Sequence, residues 1–532
     1  MSDDQQGASM IGAGMNGAGM NGAESLVRSL LASGVDTCFS NPGTSEMHFV
    51  AALDHVPGMR SVLTLFEGVA TGACDGYYRM AGKPACSLLH LGPGLANGLA
   101  NLHNAKKAGS GVVNIVGEHA STHIELDAPL MSDIKGIAGP VSHWVHSSQQ
   151  AAEVGTDAAR AVQAAMSPPG QIATLILPSD TAWNEGGVVH GPLEPAAPAG
   201  FDAQALERAV AALSGPDSLL LLGGGALSAG NLEIAGRIAA GTGCALLSEW
   251  SNARLERGAG RVAIGRVPYP IDQALEVLVP FRRIVLIGAR APIGFFAYPG
   301  KPAILTRAGA EIIELADQAG DPGLALRALC QGAGAEGQVA NVAQRQTGAV
   351  VSGPVTPDTI AAVLAQGIPE NAIVVDESIT TGRQFFPATA GAPPHTWLNN
   401  CGGSIGYGLP VAIGAAIACP DRKVLALVGD GSAMYTVQSI WTMARENLDI
   451  TMLIFANRSY QILRGELRNV GVQNPGPRAI DMLSLDRPAL DWVAMARSMG
   501  TEACRVDDSG DLAQALATGL SSQGPYLIEV ML

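Results

Sequence analysis

Few residues in this chain carry a charge or an aromatic ring: 15% of the 532 are Asp, Glu, Lys or Arg, and 5% are Phe, Trp or Tyr. Basic residues are the scarcer charged kind, which leaves a formal net charge of −15 at neutral pH. That balance excludes nucleic acid as a partner, because phosphate binding needs a basic face. No run of ~18 apolar residues occurs, which excludes a membrane-crossing helix. The opening stretch, MSDDQQGASMIGAGMNGAGMNG, lacks the basic start and apolar core of a secretory signal. The eight cysteines, Cys38, Cys74, Cys86, Cys244, Cys330, Cys401, Cys419 and Cys504, form no C-x-x-C pair. They read as free thiols, mostly buried, in a reducing compartment, so the expected location is cytoplasmic. No short-period repeat is found.

What the chain does have is hydrophobic residues, at 47%, and 66 glycines. That composition suits a large buried core with many strand-to-helix turns. Strand-like runs alternate with helical patterns in three regions. Residues 22–185 contain VDTCFS, SVLTLF, ACSLLHL, GVVNIVG and ATLILP. After the Gly/Pro/Ala-rich linker NEGGVVHGPLEPAAPAG, residues 201–330 contain SLLLLGG, CALLSE, RIVLIGA and EIIELA. A second loose stretch leads to residues 356–532, with AIVVDE, TWLNNCG, KVLALVGD, ITMLIFAN and YLIEVML. The expected fold is α/β, with three doubly wound parallel-sheet domains. Residues 1–21 are expected to form a flexible tail.

The most informative stretch is VLALVGDGSAMYTVQSIWTMARENLDITMLIFANRSY, from Val424 to Tyr460. An apolar run ends in Gly429-Asp430-Gly431-Ser432, a helical pattern follows to about residue 446, and the next apolar run ends at Asn457. This is one βαβ unit, so Asp430 and Asn457 fall at the C-terminal ends of parallel strands, where open α/β sheets bind ligands. An Asp carboxylate and an Asn amide oxygen are hard donors. With the Ser459 carbonyl, two phosphate oxygens and a water they would complete an octahedral Mg²⁺ site. The glycines allow close backbone approach, and the following helix offers free N–H groups to an anion.

Gly429-Asp430-Gly431 followed by Asn457 resembles the signature of thiamine-diphosphate (ThDP) enzymes. The resemblance implies ThDP and Mg²⁺ as cofactors, with Asp430, Asn457 and Ser459 as metal ligands. Gly429, Gly431, Ser432, Ala433, Ser378 and Tyr460 would border the diphosphate. In NNCGGSIGYGLP, the Gly403 carbonyl would accept from the aminopyrimidine, and Ile405 would bend the cofactor into its V shape. The resemblance also implies a glutamate in the N-terminal domain that hydrogen-bonds the pyrimidine ring. Glu67 fits that role, following an apolar strand and opening a small-residue helix.

Within the family, LLHLGPGLAN and NPGTSE resemble segments of benzoylformate decarboxylase. His90 would then act as acid or base, and Thr44 would contact the substrate carboxylate. IVGEHA puts Glu118 and His119 where many relatives of the family have a glutamine near the substrate, with no role assigned. The general appearance is that of acetolactate synthase large subunits. However, GARAPIGFFAYPG keeps only Arg290 of those enzymes' Arg-Phe-Asp-Asp-Arg stretch. Phe295, Phe296 and Tyr298 make that side aromatic. Leu463 stands where pyruvate decarboxylases carry a glutamate.

The implied activity is C–C bond cleavage or formation on a 2-oxo acid or another small carbonyl substrate. Decarboxylation to an enamine intermediate would be followed by aldehyde release or by joining to a second carbonyl compound. Two neighbouring readings are an acetolactate synthase catalytic subunit with structural FAD and a 2-hydroxyacyl-CoA lyase-type enzyme. LLLLGGGALSAG, Leu219–Gly230, has the glycines of a nucleotide-binding turn, but FAD is not the favoured cofactor. The family also implies a homodimer or homotetramer with active sites at the subunit interface.

Overall fold

Apolar, β-branched runs become the inner strands of three sheets. The computed structural model describes residues 19–348 and 352–532. The first sheet holds β1 (Thr37–Asn41), β2 (Arg60–Leu63), β3 (Ala85–Leu89), β4 (Val112–Glu118), β5 (Trp144–Ser147) and β6 (Ile172–Pro178). Its order is β2-β1-β3-β4-β6-β5, with every pair parallel. The next strands in the chain are β7 (Ser218–Leu222), β8 (Ala245–Ser248), β9 (Leu255–Arg257), β10 (Gly265–Arg266), β11 (Arg283–Ile287) and β12 (Glu311–Ala316). Five of them form the second sheet, all parallel, in the order β10-β8-β7-β11-β12.

The third sheet holds β13 (Ile373–Glu377), β14 (His395–Asn399), β15 (Val424–Gly429), β16 (Ile450–Ala456), β17 (Glu502–Val506) and β18 (Tyr526–Met531). Its order, β17-β18-β16-β15-β13-β14-β9, takes in the remaining strand, β9, which runs antiparallel to β14. The segment between the second sheet's strands thus lends an edge to the third. Sequence pattern gave no sign of this, because β9 is three residues long and reads Leu-Glu-Arg. Arg257 anchors it: the guanidinium lies 3.8 Å from the Phe386 ring centroid and donates to Thr389 Oγ1 at 3.0 Å.

Leaving β9 aside, in each sheet the chain starts near the middle and builds outward on both sides. The reversal falls between β1 and β3, between β7 and β11, and between β13 and β15. Crevices outside the C-terminal ends of such strand pairs are where open α/β sheets take ligands.

Two features lock the first and third sheets together. The helix Glu67–Ala81 crosses the apolar, buried helix Gly408–Ala418 with their backbones nearly touching. A Cβ on Gly76 would lie 2.1 Å from the Val411 carbonyl oxygen, and one on Gly414 would lie 1.9 Å from that of Ala73. Gly76→Ala gains about 1 kcal/mol of helix propensity. The overlap involves backbone that cannot rotate away, so a net loss of about 1–3 kcal/mol is expected. An earlier denaturant midpoint would show it; an unchanged midpoint would mean the helices part freely.

The second feature is a buried ion pair. Arg79 donates from Nε and Nη2 to both oxygens of Asp75, each at 2.7 Å. Its Nη1 donates to the Asn399 carbonyl, the Tyr407 hydroxyl and the Ala253 carbonyl, so one guanidinium ties all three regions. A buried charge of this kind is retained only where it is fully hydrogen-bonded.

The expected tail over residues 1–21 falls largely outside the described residues. Of its end, Met20 accepts from the Gly186 and Gly187 N–H groups, and Asn21 caps the helix Gly22–Ala32. The helical pattern after Ser432 is broken into Asp430–Ala433, a 3₁₀ turn Met434–Thr436, and Ser439–Arg445. The tightened turn is pinned where Thr436 Oγ1 donates to the Gly406 carbonyl at 3.1 Å.

Candidate active site

β15 and β16 are immediate neighbours, with Gly429 opposite Phe455. Asp430 and Asn457 therefore leave the sheet side by side. Asp430 is the first residue of its short helix, buried, with Oδ1 accepting from Gly431 N–H at 2.8 Å and Oδ2 from Arg458 N–H at 2.7 Å. Burial raises its pKa above the ordinary Asp value, against the pull of those backbone bonds. Among the described residues it has no ion-pair partner. Arg458 adopts φ 54°, a left-handed conformation uncommon for a side-chain-bearing residue. The turn this makes lets Asn457 Oδ1 accept from Ser459 N–H at 3.0 Å.

A cavity of about 550 Å³ opens outside these strand ends. Gly429, Asp430, Gly431, Ser432, Asn457, Ser459 and Tyr460 line one side. Ala433 is fully buried behind them. The Tyr460 ring closes on Gly431, where a Cβ would meet Cε1 at 2.6 Å. Ser378, Gly403 and Ile405 line the other side. Ser378 N–H and Oγ both donate to Asp376 Oδ1. Next to it, Ile379 has φ 49°, a genuine outlier for a β-branched residue, and strain of this kind gathers at ligand-clamping sites.

The loop carrying Gly403 and Ile405 is held by residues the sequence did not single out. Asn400 Oδ1 accepts from Gly402 and Gly403 N–H, and Asn104 bonds both polar groups of the Ser404 backbone. The buried Glu377 carboxylate accepts from Gly406, Tyr407 and Gly408 N–H at 3.1, 3.2 and 2.7 Å. Burial pushes it up to about 7, against those bonds. The aromatic wall comes from the second sheet's loops. Phe295 contacts Trp250, Tyr269 and Phe296 with ring centroids 5.3, 5.5 and 4.9 Å apart, and its edge lies over Gly403. Tyr298 donates to Glu466 Oε2 at 2.5 Å, joining that wall to the helix Gln461–Asn469, which carries Leu463 on the cavity side.

No residue of the first sheet's region lines this cavity. Glu67, His90 and Thr44 gather instead at the β1/β3 reversal. Glu67, 7% exposed, opens its helix, and Asn97 Nδ2 donates to its Oε2 at 3.0 Å. Glu67 and His90 share one neighbour: a Cβ on Gly94 would lie 3.3 Å from both Glu67 Oε1 and His90 Cβ. Thr44 is exposed at the start of a 3₁₀ turn, and the side chains that reach His90 are its neighbours Ser45 and Glu46. Glu118 ends the adjoining strand β4 and His119 follows it; burial raises the Glu118 pKa, and the His119 ring lies 5.3 Å from that of His123. Asn97 and Glu46 had weak sequence signals, since Asn97 stands among small and apolar helix residues and Glu46 follows two other polar residues of a turn.

A smaller cavity of about 340 Å³ lies at the β7/β11 reversal. Here the first residue of the glycine turn is tightly packed. A Cβ on Gly223 would meet Glu249 Oε2 at 2.4 Å and the Gly288 carbonyl oxygen at 2.6 Å. Glu249 Oε1 accepts from Arg290 N–H at 2.9 Å, and burial pushes the carboxyl up to about 7.

Open, mostly parallel sheets with polar clusters at their reversals, and an Asp–Asn oxygen pair beside a glycine turn, are the arrangement the resemblance to ThDP-dependent enzymes implies. Residues 20–148 match the family model for the N-terminal TPP binding domain of thiamine pyrophosphate enzymes, and residues 380–530 match that for the C-terminal TPP binding domain. The chain belongs to the thiamine pyrophosphate enzyme family. It is 50% identical over 517 residues to the Mycobacterium tuberculosis "Putative acetolactate synthase large subunit IlvX", covering 96% of this chain and 98% of that one. It is 28% identical to benzoylformate decarboxylase of Pseudomonas aeruginosa, over 93% and 96% of the two chains. Among solved structures, the thiamine diphosphate-dependent 4-hydroxybenzoylformate decarboxylase of Rhodococcus jostii shares the fold, with a TM-score of 0.81 at 23% identity over 96% and 99% of the chains. Among the described residues no helix is long and apolar enough to cross a membrane.

Proposed function

We propose that the protein is a ThDP- and Mg²⁺-dependent enzyme that cleaves or forms the C–C bond beside the carbonyl of a 2-oxo acid. The observation that carries this is the pair Asp430 and Asn457 on adjacent strand ends, heading a cavity of about 550 Å³. The residues fit the group: a buried carboxylate without a cation, hard oxygen donors beside it, and a glycine turn at a helix start. Asp430, Asn457 and the Ser459 carbonyl would hold Mg²⁺; Gly429, Gly431, Ser432, Ser378 and Tyr460 would border the diphosphate. Gly403 and Ile405 would seat the pyrimidine. Bound ThDP supplies the electron sink for the bond that breaks.

Glu67 holds the proton that the pyrimidine needs, and Asn97 orients it. His90 exchanges a proton with the substrate through Nε2. Because the 550 Å³ cavity has no wall from the first region, Glu67 of a second copy is the group that completes it. This supports a homodimer, or a dimer of dimers, with sites at the interface. FAD is not part of the proposal. In the β7/β11 turn Glu249 Oε2 and the Gly288 carbonyl oxygen pack closely against Gly223, which supports the flavin-free reading.

The wall formed by Phe295, Phe296 and Tyr269 favours a donor with an aromatic or bulky apolar side chain. The name of the 50% identical relative favours a second reading, pyruvate condensation to acetolactate. Product analysis by NMR, with ThDP, Mg²⁺, pyruvate and benzoylformate, separates them. Benzaldehyde or an aromatic acyloin is the expected product. Acetolactate alone, from a protein with yellow flavin absorbance, would overturn both the donor and the flavin-free assignment.

A further inference from the structure

Glu46 has no role in the proposal above, yet it is built into the site more firmly than His90 itself. His90 Nδ1 lies 2.9 Å from Glu46 Oε2 and 3.1 Å from Ser45 Oγ. Glu46 is clamped in turn: Gly43 N–H donates to Oε2 at 2.7 Å and the Ser45 hydroxyl donates to Oε1 at 2.5 Å. The Glu46 side chain is 1% exposed, against 22% for that of His90. Two glycines make the packing possible. A Cβ on Gly43 would fall 2.3 Å from His90 Cγ and Nδ1, and one on Gly117 would fall 1.7 Å from Glu46 Oε1. The imidazole thus rests against the Gly43 backbone, while Glu46 is wedged against the end of β4. Among the described residues, Nε2 has no hydrogen-bond partner.

We propose that Glu46 is the positioning residue for His90, accepting the Nδ1 proton and so fixing both the ring orientation and the tautomer that presents an Nε2 lone pair to the substrate. A carboxylate only accepts, so the ring nitrogen facing it is the donor. In the neutral ring the other nitrogen is then the acceptor. When Nε2 takes a proton from the reacting molecule, both nitrogens become donors, and the buried carboxylate balances the new positive charge. When Nε2 returns that proton, the ring is restored to the starting tautomer. The proposal rests on the reading of His90 as the proton carrier; the arrangement resembles the way a buried carboxylate orients a catalytic histidine in hydrolases.

The test uses the full-length protein loaded with ThDP and Mg²⁺, with ¹⁵N-labelled histidine and the His90 signals assigned by their loss in His90→Gln. In the wild type, Nδ1 should be the protonated, pyrrole-type nitrogen and Nε2 the unprotonated one. Glu46→Leu removes the acceptor and should move the proton to Nε2 or mix the tautomers. Glu46→Gln keeps an acceptor oxygen but no charge, so it should keep the tautomer. Its kcat should fall by at least about tenfold, with KM changed less. That rate is measured on whichever of pyruvate and benzoylformate the enzyme turns over faster. A wild type protonated at Nε2, an unchanged tautomer in a folded Glu46→Leu, or an undiminished kcat in Glu46→Gln overturns the proposal. If Glu46→Leu does not fold, the wild-type tautomer and Glu46→Gln still decide it. An undiminished kcat in His90→Gln would instead refute the role given to His90, and is told apart because the tautomer readout does not depend on turnover.

Discussion

Glu67→Gln is expected to lower kcat by about 10²–10⁴-fold, the range for removing a general acid–base group. The substitution keeps the volume of a side chain that is almost fully buried, and Asn97 Nδ2 can still donate to an amide oxygen. The fold and the affinity for the Mg²⁺ cofactor should therefore change little. What is lost is a carboxyl able to hold and release a proton. Steady-state turnover, read beside cofactor binding by tryptophan fluorescence, checks this. A kcat within tenfold of the wild type would mean that the proton moves by another route. A matched loss of cofactor binding would mean that Glu67 acts in assembly rather than in proton transfer.

Asp430→Asn is expected to remove most of the thermal stabilisation that ThDP and Mg²⁺ give together. A ligand at 100 times its Kd stabilises the protein it binds by about 2.7 kcal/mol. The variant loses the anionic oxygen that Asp430 brings to the cavity wall. It also suffers without ligand, because Asp430 accepts from two backbone N–H groups, Gly431 and Arg458. An amide offers one oxygen and turns its NH₂ toward the other N–H, a mismatch of about 1–3 kcal/mol in a buried site. Melting curves with and without ThDP and Mg²⁺ separate the two effects. A ligand-induced shift equal to that of the wild type would exclude Asp430 as a metal ligand.

Much of the architecture was readable from local pattern. Apolar runs ending in glycine or in a polar residue mark parallel strands, and in a βαβ unit those ends share one edge of the sheet. Gly429-Asp430-Gly431, Asn457 and Glu67 could be placed at strand ends for that reason alone. The aromatic stretch Phe295–Tyr298 and the family came instead from the resemblance of short motifs to those of known enzymes. The helix after Ser432 was legible as helical but not as broken, since the break depends on Thr436 bonding Gly406, 30 residues earlier. β9 was not legible because three residues without an apolar period cannot announce which sheet they join.

Side-chain direction was the other thing that sequence could not supply. Thr44, Ser45 and Glu46 are consecutive, and only the turn they form decides that Ser45 and Glu46 face His90 while Thr44 faces out. Gly223-Gly224-Gly225 reads as a nucleotide-binding turn, and only the fold brings Glu249, 26 residues after Gly223, to pack against its first glycine. The sequence by itself determined the strand ends and the residue types available at each edge, because those follow from short-range periodicity and turn chemistry, and it carried the Gly-Asp-Gly…Asn signature whose resemblance pointed to the family. Which of those residues meet, which turn is tightly packed and which carboxylate buttresses which histidine was decided by the tertiary structure, because these depend on contacts between segments far apart in the chain.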